Sequence, residues 1–362
     1  MIRTAIALLC LTVPSLAADT PGTKQIDSIF SDLKSNHAPG AAVMIVDHGK
    51  VVFSRGYGVA ELATKHAIDD HTNFRLASDT KQFTAMAIML LVHDGKLHYE
   101  DKLSDIFPEF PAYGKNITVR ELLNHTSGLL DYEDLMPKYE GVAADRVPQI
   151  QDAEVLKLLE RQTTTKFPPG SKWDYSNSGY VVLGTIVAKM SGKSFPEFLR
   201  ERIFQPLGMT NTVAFVKGTN EVTNRAYGHS KTEHGWEQTD QSPTSATLGD
   251  GGVYSSVFDL EKWDRSLREH ILVSADEMRP AITPVEVPGV IEPDGKPAEY
   301  GFGWFLNSYR GHKRMWHYGE TMGFRTAIQR FVDDQLTIVI LCNRTDVDPT
   351  ERALRVADLF LK

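Results

Sequence analysis

The β signal of this chain is split between its two ends. Ala42–Asp47 and Lys50–Gly56 are apolar, β-branched runs joined by a short turn at His48-Gly49, the pattern of a hairpin. The remaining runs of this kind are Gly301–Leu306, Lys313–His317, Phe324–Val332 and Leu336–Asn343. An isolated hairpin is at best marginally stable in water. The spacing therefore predicts that strands from both ends pair into one antiparallel sheet, with the segment between them inserted as a separate body.

That insertion reads as helical. Ser78–His93 is a long apolar-periodic run that ends at Gly95, a good residue just past a helix C-terminus. Thr118-Val119-Arg120-Glu121 and Ser194-Phe195-Pro196-Glu197 are capping boxes that open helices. Gly179–Met190 with Gly192 after it, and residues 153–161 and 256–269, are further helices. At the start, Ile26, Ile29, Phe30 and Leu33 recur at helical spacing over residues 24–35, and Pro39-Gly40 stops them. Thr350–Leu361 is a closing helix. The expected fold class is α+β. An antiparallel sheet flanked by helices (about 19–77 and 245–362) meets a mainly helical lobe (about 78–244), with a cleft between them.

At 362 residues the chain is beyond one simple core. No linker, charge block, repeat or low-complexity tract divides it, so one unit of two packed subdomains is expected. Residues 1–18 read as a signal peptide: Arg3, then the apolar run Ala5–Val13, then small residues around Ser15-Leu16-Ala17-Ala18-Asp19. The run is shorter than the roughly 20 residues needed to span a bilayer. Leu9 before Cys10 argues against a lipid anchor. A periplasmic or secreted protein is expected. After cleavage only Cys342 remains, inside the strand-like Leu336–Leu341 context of a buried structural thiol. The net charge is −8, and removing Arg3 makes it −9. That balance argues against nucleic acid, whose binding rests on neutralising phosphates. No polybasic run would hold the mature chain on a membrane.

Three short motifs carry chemistry. Ser78-Asp79-Thr80-Lys81 places a hydroxyl and an amine on one face of a helix start. A serine is a poor nucleophile until a base takes its proton. A lysine in the first helical turn, where the macrodipole is positive, is disposed to lose its own. Tyr175-Ser176-Asn177 follows a Pro/Gly-rich loop and precedes a helix; a tyrosine there can relay a proton and an amide can hold a carbonyl. His317-Tyr318-Gly319 ends a candidate strand, and Glu320 follows it. Each motif alone has a plainer explanation. Ser78 serves as a helix cap, Tyr175 as a core tyrosine, Asn177 as a cap, and His317 as a strand-end histidine. Ser31-Asp32-Leu33-Lys34 matches the first motif inside an ordinary amphipathic helix, and His93-Asp94-Gly95 matches the third at a helix end.

Order and context change the balance. Ser-X-X-Lys opening an apolar helix, Tyr-X-Asn in a later loop and His-X-Gly near the C-terminus resemble the three-motif pattern of serine β-lactamases and penicillin-binding proteins. The resemblance covers nearly all of residues 25–362. It extends to Pro39-Gly40-Ala41-Ala42, Phe74-Arg75-Leu76-Ala77-Ser78, Leu122–Leu129, Gly251-Gly252-Val253-Tyr254 and Gly301-Phe302-Gly303-Trp304. The chain is thereby identified as a member of the β-lactamase-related family. That family includes class C β-lactamases, D-Ala-D-Ala carboxypeptidases, D-aminopeptidases and related esterases, and the resemblance implies a β-lactamase/transpeptidase-like fold.

The resemblance also implies roles. Ser78 attacks the carbonyl. Lys81 and Tyr175 share acid/base work. Asn177 positions the substrate amide or Lys81, and His317 replaces the lysine of the relatives' Lys-Thr-Gly. Gly319 lets substrate backbone approach, and backbone N–H groups of Ser78 and Glu320 form the oxyanion hole. A neutral His317 and a bulky Tyr318 depart from a carboxylate-gripping Lys-Thr-Gly. They point from an efficient β-lactamase toward an esterase or a peptidase acting on D-residues.

The expected partners are small esters, amides, D-peptides or β-lactams, with no cofactor. No metal is expected: His-Glu-X-X-His is absent, and His66, Asp69, Asp70 and His71 read as a solvated loop. Gly-X-Ser-X-Gly is absent too, which removes the α/β-hydrolase reading. The rival from another class is a catalytically idle binding protein of the same fold. Substrate choice is expected to lie in the loops Leu130–Val147 and Val216–Thr244.

Overall fold

The computed structural model describes residues 22–138, 146, 148–292 and 295–362. The expected signal peptide and part of the loop Leu130–Val147 lie outside the described residues. The main sheet holds β1 (Ala41–Asp47), β2 (Lys50–Tyr57), β3 (Ser308–Tyr309), β4 (His312–Thr321), β5 (Phe324–Phe331) and β6 (Leu336–Cys342). Its spatial order is β2-β1-β6-β5-β4-β3. Every neighbouring pair is antiparallel. The early hairpin joins the late strands through β1 and β6, in register from Ala41↔Cys342 to Asp47↔Leu336.

Both faces of this sheet are covered, so its central strands read as continuous apolar runs rather than alternating ones. Ala42, Met44 and Val46 face one core with Val339 and Leu341. Ala41, Val43 and Ile45 face another with Ile338, Ile340 and Cys342. Helices α1 (Thr23–Ile29) and α5 (Pro349–Phe360) cover the second face through Ile26, Ile29, Val356 and Ala357. Helix α4 (Val257–Glu269) covers the first through Leu260 and Trp263. Helices α2 (Lys81–His93) and α3 (Asn177–Ser191) extend that core away from the sheet. Every residue of α2 from Lys81 to Leu91 is buried, the polar Lys81, Gln82 and Thr84 among them.

Local chemistry explains the element ends. His48 and Gly49 form a two-residue loop between Asp47 and Lys50, with φ of 48° and 75°, the left-handed pair that suits a twisted hairpin. Both capping boxes form: Thr118 with Glu121 and Ser194 with Glu197. Cys342 is buried and free, and burial pushes its thiol up to about 12.

Three expectations need correction. The helix read from Ser78 begins as a 3-10 turn, Ala77–Thr80, and becomes α-helical at Lys81. Gly301–Leu306 is not a strand. Gly303 sits in the left-handed region at φ 75° against the Lys81 backbone, and the segment is held by isolated bridges at Tyr300–Phe305 and Phe305–Trp316 and by a hydrogen bond from Phe302 N–H to Ala281 O. His317 lies within a strand rather than at its end. β4 continues through Thr321, because Gly319 and Glu320 keep their pairing with Thr326 and Arg325.

Candidate active site

The approach to Ser78 is pinned on several sides. Phe74 and Arg75 pair with Ser255 and Tyr254. The Leu76 N–H donates to Val253 O at 2.9 Å. The buried Arg75 guanidinium donates to Gly251 O at 3.2 Å and Ser245 O at 3.1 Å. Ala77 is held at φ 48°, a strain of about 1–3 kcal/mol for a non-glycine residue. The turn delivers Ser78, partly exposed, into a small cleft that Glu133, Asn177, Asp250 and Glu320 also line.

Lys81 is fully buried behind it. Its Nζ donates to Ser78 Oγ at 3.0 Å, Asn177 Oδ1 at 2.9 Å and Asp250 O at 3.0 Å. Burial lowers its pKa to about 8, against the opposing pull of Asp250, Glu133, Asp131 and Asp79. Asn177, the first residue of α3, has its amide oriented from the far side: its Nδ2 donates to Glu133 Oε1 at 3.2 Å. The cap of α3 is Ser176, whose hydroxyl accepts from Gly179 N–H. That leaves the Asn177 side chain free to face Lys81.

Tyr175 stands over the same amine, its ring centroid 4.8 Å from Lys81 Nζ. Burial, joined by Tyr318, holds its pKa well above the ordinary tyrosine value, against an opposing pull from Ser78. It is therefore a neutral phenol at neutral pH.

The third motif divides. His317 does not meet the cleft directly. It is 0% exposed, with Nε2 3.1 Å from Tyr300 Oη and Nδ1 2.7 Å from Tyr318 O. Burial first and the Lys81 charge second press its pKa to about 3, so it stays neutral and offers no cation to a substrate carboxylate. Gly319 brings β4 against the segment leading to Ser78; a Cβ there would collide with Leu76 O and Thr326 Oγ1. Glu320 lines the cleft edge, and its carboxylate pairs with Arg325 at 2.8 Å. That pairing gives the Glu320 charge a partner on the neighbouring strand.

Other contributors had no recognised motif. Asp250 supplies a carbonyl to Lys81 from a loop of glycines, Gly249, Gly251 and Gly252, of which only Gly251 and Gly252 belonged to a family phrase. His125 lay inside another such phrase without a role; its Nδ1 accepts from Ser176 N–H at 3.1 Å. Tyr300 carried no signal beyond its place next to Gly301. Among the described residues, no group of three or more His, Cys, Asp and Glu is arranged to hold a metal ion. His66 instead contacts Asn224 at 3.1 Å, and Asp69 accepts from Thr72 at 2.8 Å.

The sequence model of the beta-lactamase family matches residues 26–361. The chain belongs to the beta-lactamase family. Within this family of serine hydrolases it is similar to penicillin-binding protein 4* of Bacillus subtilis (strain 168). The two are 32% identical over 343 residues, 91% of this chain and 74% of that protein. A D-aminopeptidase of Cereibacter sphaeroides is 29% identical over 309 residues, 84% of this chain but only 57% of that one. Among solved structures, the octameric penicillin-binding protein homologue from Pyrococcus abyssi superposes with a TM-score of 0.79 at 27% identity, covering 93% of this chain and 77% of that one. D-amino acid amidase from Ochrobactrum anthropi SV3 gives a TM-score of 0.75 at 26% identity, covering 92% and 98%. The α+β, beta-lactamase/transpeptidase-like expectation for the fold is met.

Because Gly319 has no room for a Cβ, Gly319→Ala must displace β4 from Leu76. It is expected to lower stability by about 1–3 kcal/mol, the usual cost of overpacking, read as a shift in the urea midpoint. An unchanged midpoint would refute this account of the contact.

Proposed function

We propose that this chain is an exported serine hydrolase in which Ser78 is acylated by an ester or amide and Lys81 is the base. The count of protons on Lys81 carries the reading. An ammonium has three donors, and all three are placed, on Ser78, Asn177 and Asp250. The Asp250 carbonyl only accepts, and Asn177 presents its oxygen because its nitrogen faces Glu133. When the amine loses a proton, its lone pair is therefore left aimed at Ser78 Oγ.

Deprotonated Lys81 then takes the Ser78 proton as Oγ bonds to the substrate carbonyl carbon. Backbone N–H groups of Ser78 and Glu320 receive the oxyanion; one such donor is typically worth about 10²–10³ in rate. Tyr175, held as a phenol, passes its proton to the leaving amine or alcohol as the carbonyl re-forms, and the proton that Lys81 took from Ser78 restores the phenol. Asn177 keeps Lys81 aimed and meets the substrate amide. Water then attacks the acyl carbon, releasing the acid and restoring the Ser78 hydroxyl.

Cleft charge supports a substrate with a free amine. Glu133 and Asp250 line it, and one Asp250 oxygen is buried without a partner. Burial away from water first, and the charges of Asp131 and Asp250 after it, hold the Glu133 carboxyl above its ordinary range. The cation lining the cleft, Arg75, already has its guanidinium on two backbone carbonyls. A D-amino acid amide or ester, protonated at its amine, suits this lining better than a carboxylate-bearing β-lactam or D-Ala-D-Ala peptide. The names of the D-aminopeptidase and amidase relatives agree with that choice.

Hydrolysis of p-nitrophenyl butyrate by the protein is expected to fall by at least about 10³ in Ser78→Ala, as loss of a nucleophile does elsewhere. In the wild type, kcat/KM is expected to climb as pH rises through about 8, since the neutral amine is the active form. Equal activity in the mutant removes Ser78 from its role. No activity in either protein favours an idle binding protein, and a flat profile from pH 6 to about 10 removes Lys81 as base.

Glu133→Gln keeps an acceptor for Asn177 while deleting the charge. For D-phenylalanine p-nitroanilide it is expected to lower kcat/KM about tenfold or more, the scale of a charged hydrogen bond. The N-acetylated substrate should be little affected, whereas equal losses on both would exclude an amine site at Glu133. Export through residues 1–18 predicts that protein recovered from the periplasm or medium starts at Asp19 by N-terminal sequencing; a cell-retained protein starting at Met1 would contradict it.

A further inference from the structure

Behind the cleft lies a buried hydrogen-bond chain that joins its two walls. His125 is 0% exposed, and its backbone sits at φ 63°. Its Nδ1 accepts from the Ser176 N–H, which can only donate. Its one proton is therefore on Nε2, 3.1 Å from Tyr300 Oη. His317 is fixed from the other end. Its Nδ1 lies 2.7 Å from the carbonyl of Tyr318, which can only accept. The Tyr318 N–H also comes within 3.0 Å, but a contact that short between nitrogen and a carbonyl oxygen needs a proton between them. Nε2 of His317 is then bare, and Tyr300 Oη is the donor 3.1 Å from it. Tyr180, packed beside Tyr300, gives its own hydroxyl proton to Leu123 O at 2.6 Å.

The protons thus run one way, from Ser176 N–H through His125, Tyr300 and His317 to the Tyr318 carbonyl. We propose that Tyr300 is a positioning residue: its single hydroxyl locks two neutral histidines in opposite tautomers. In doing so it holds the Tyr175–Asn177 turn in register with the β4 segment that carries Gly319 and Glu320. Tyr300 does not line the cleft that holds Ser78. It acts on the acid/base wall through His125, whose ring lies 4.4 Å from that of Tyr175, and on the oxyanion wall through His317. The inference rests on the reading of Ser78 as the nucleophile.

The test combines kinetics with imidazole ¹⁵N NMR of the full protein. In the wild type, His125 should be the Nε2–H tautomer and His317 the Nδ1–H tautomer, both neutral from pH 5 to about 9. Tyr300→Phe keeps the ring and removes only the hydroxyl. It should lower kcat by about 10- to 100-fold, the scale of a small misplacement of reacting groups, with KM within about twofold. His317 should lose its single tautomer. A phosphonate probe should still label Ser78 in the variant. The reverse tautomer at either histidine in the wild type overturns the proposal, as does a Tyr300→Phe protein with kcat intact. The tautomers are read on the wild type, so a variant that failed to fold would leave that arm decisive. If Ser78→Ala retains full activity, the proposed function falls and takes the kinetic arm with it. Wrong tautomers beside an inert Ser78→Ala protein overturn the chain alone.

Discussion

An amine kept from water is the constraint on which the rest of this site depends. Lys81 is 0% exposed, and an unpaired buried ammonium costs several kcal/mol. Among the described residues, no carboxylate hydrogen-bonds to it. Its partners are a hydroxyl, an amide oxygen and a backbone carbonyl, while Asp250, Glu133, Asp131 and Asp79 act on it only through space. The start of α2 adds the positive end of a helix dipole. Together these make the amine ready to give up a proton without leaving it unsatisfied. The surroundings follow from that need. The Gly249–Gly252 loop must lie flat enough on α3 to offer the Asp250 carbonyl. Gly249 and Gly184 meet backbone to backbone there, where a Cβ would be 3.2 Å from the opposing Cα.

The fold was legible where one physical pattern dominates a segment. The β1 and β6 runs are apolar on consecutive residues because both faces of the sheet are buried. Their boundaries were read to within one residue, Ala42–Asp47 against Ala41–Asp47 and Leu336–Asn343 against Leu336–Cys342. The capping boxes at Thr118 and Ser194 involve groups three residues apart, so they too can be read locally. Ser78, Lys81, Tyr175 and Asn177 were singled out for a different reason: each sits in a short phrase that resembles a family motif, and the structure gathers the other three around the Lys81 amine.

What was not legible is set by contacts distant in the chain. Gly301–Leu306 has strand-like residues, yet its path is decided by Gly303 lying on the backbone of α2. His317 looked like a group facing substrate. Its burial follows from Tyr300 and Phe305, which pack on it from a segment with no recognisable periodicity. Asp250 acts through its carbonyl, and a backbone role leaves no mark on side-chain identity. The pairing of the Glu320 carboxylate with Arg325 follows from the register of β4 against β5, which the composition of neither strand gives.

The pairing of β1 with β6 has a consequence for how the molecule comes into being. Ala41 finds Cys342 and Asp47 finds Leu336, so the centre of the sheet joins residues separated by nearly the whole described length. Such non-local pairing delays closure and slows folding. While a ribosome is still adding β5 and β6, the hairpin of β1 and β2 has an open apolar edge and no core to bury it. Folding must therefore be a late, concerted event, and loss of the final strand would strand the first hairpin without a partner, a form prone to pairing with other chains.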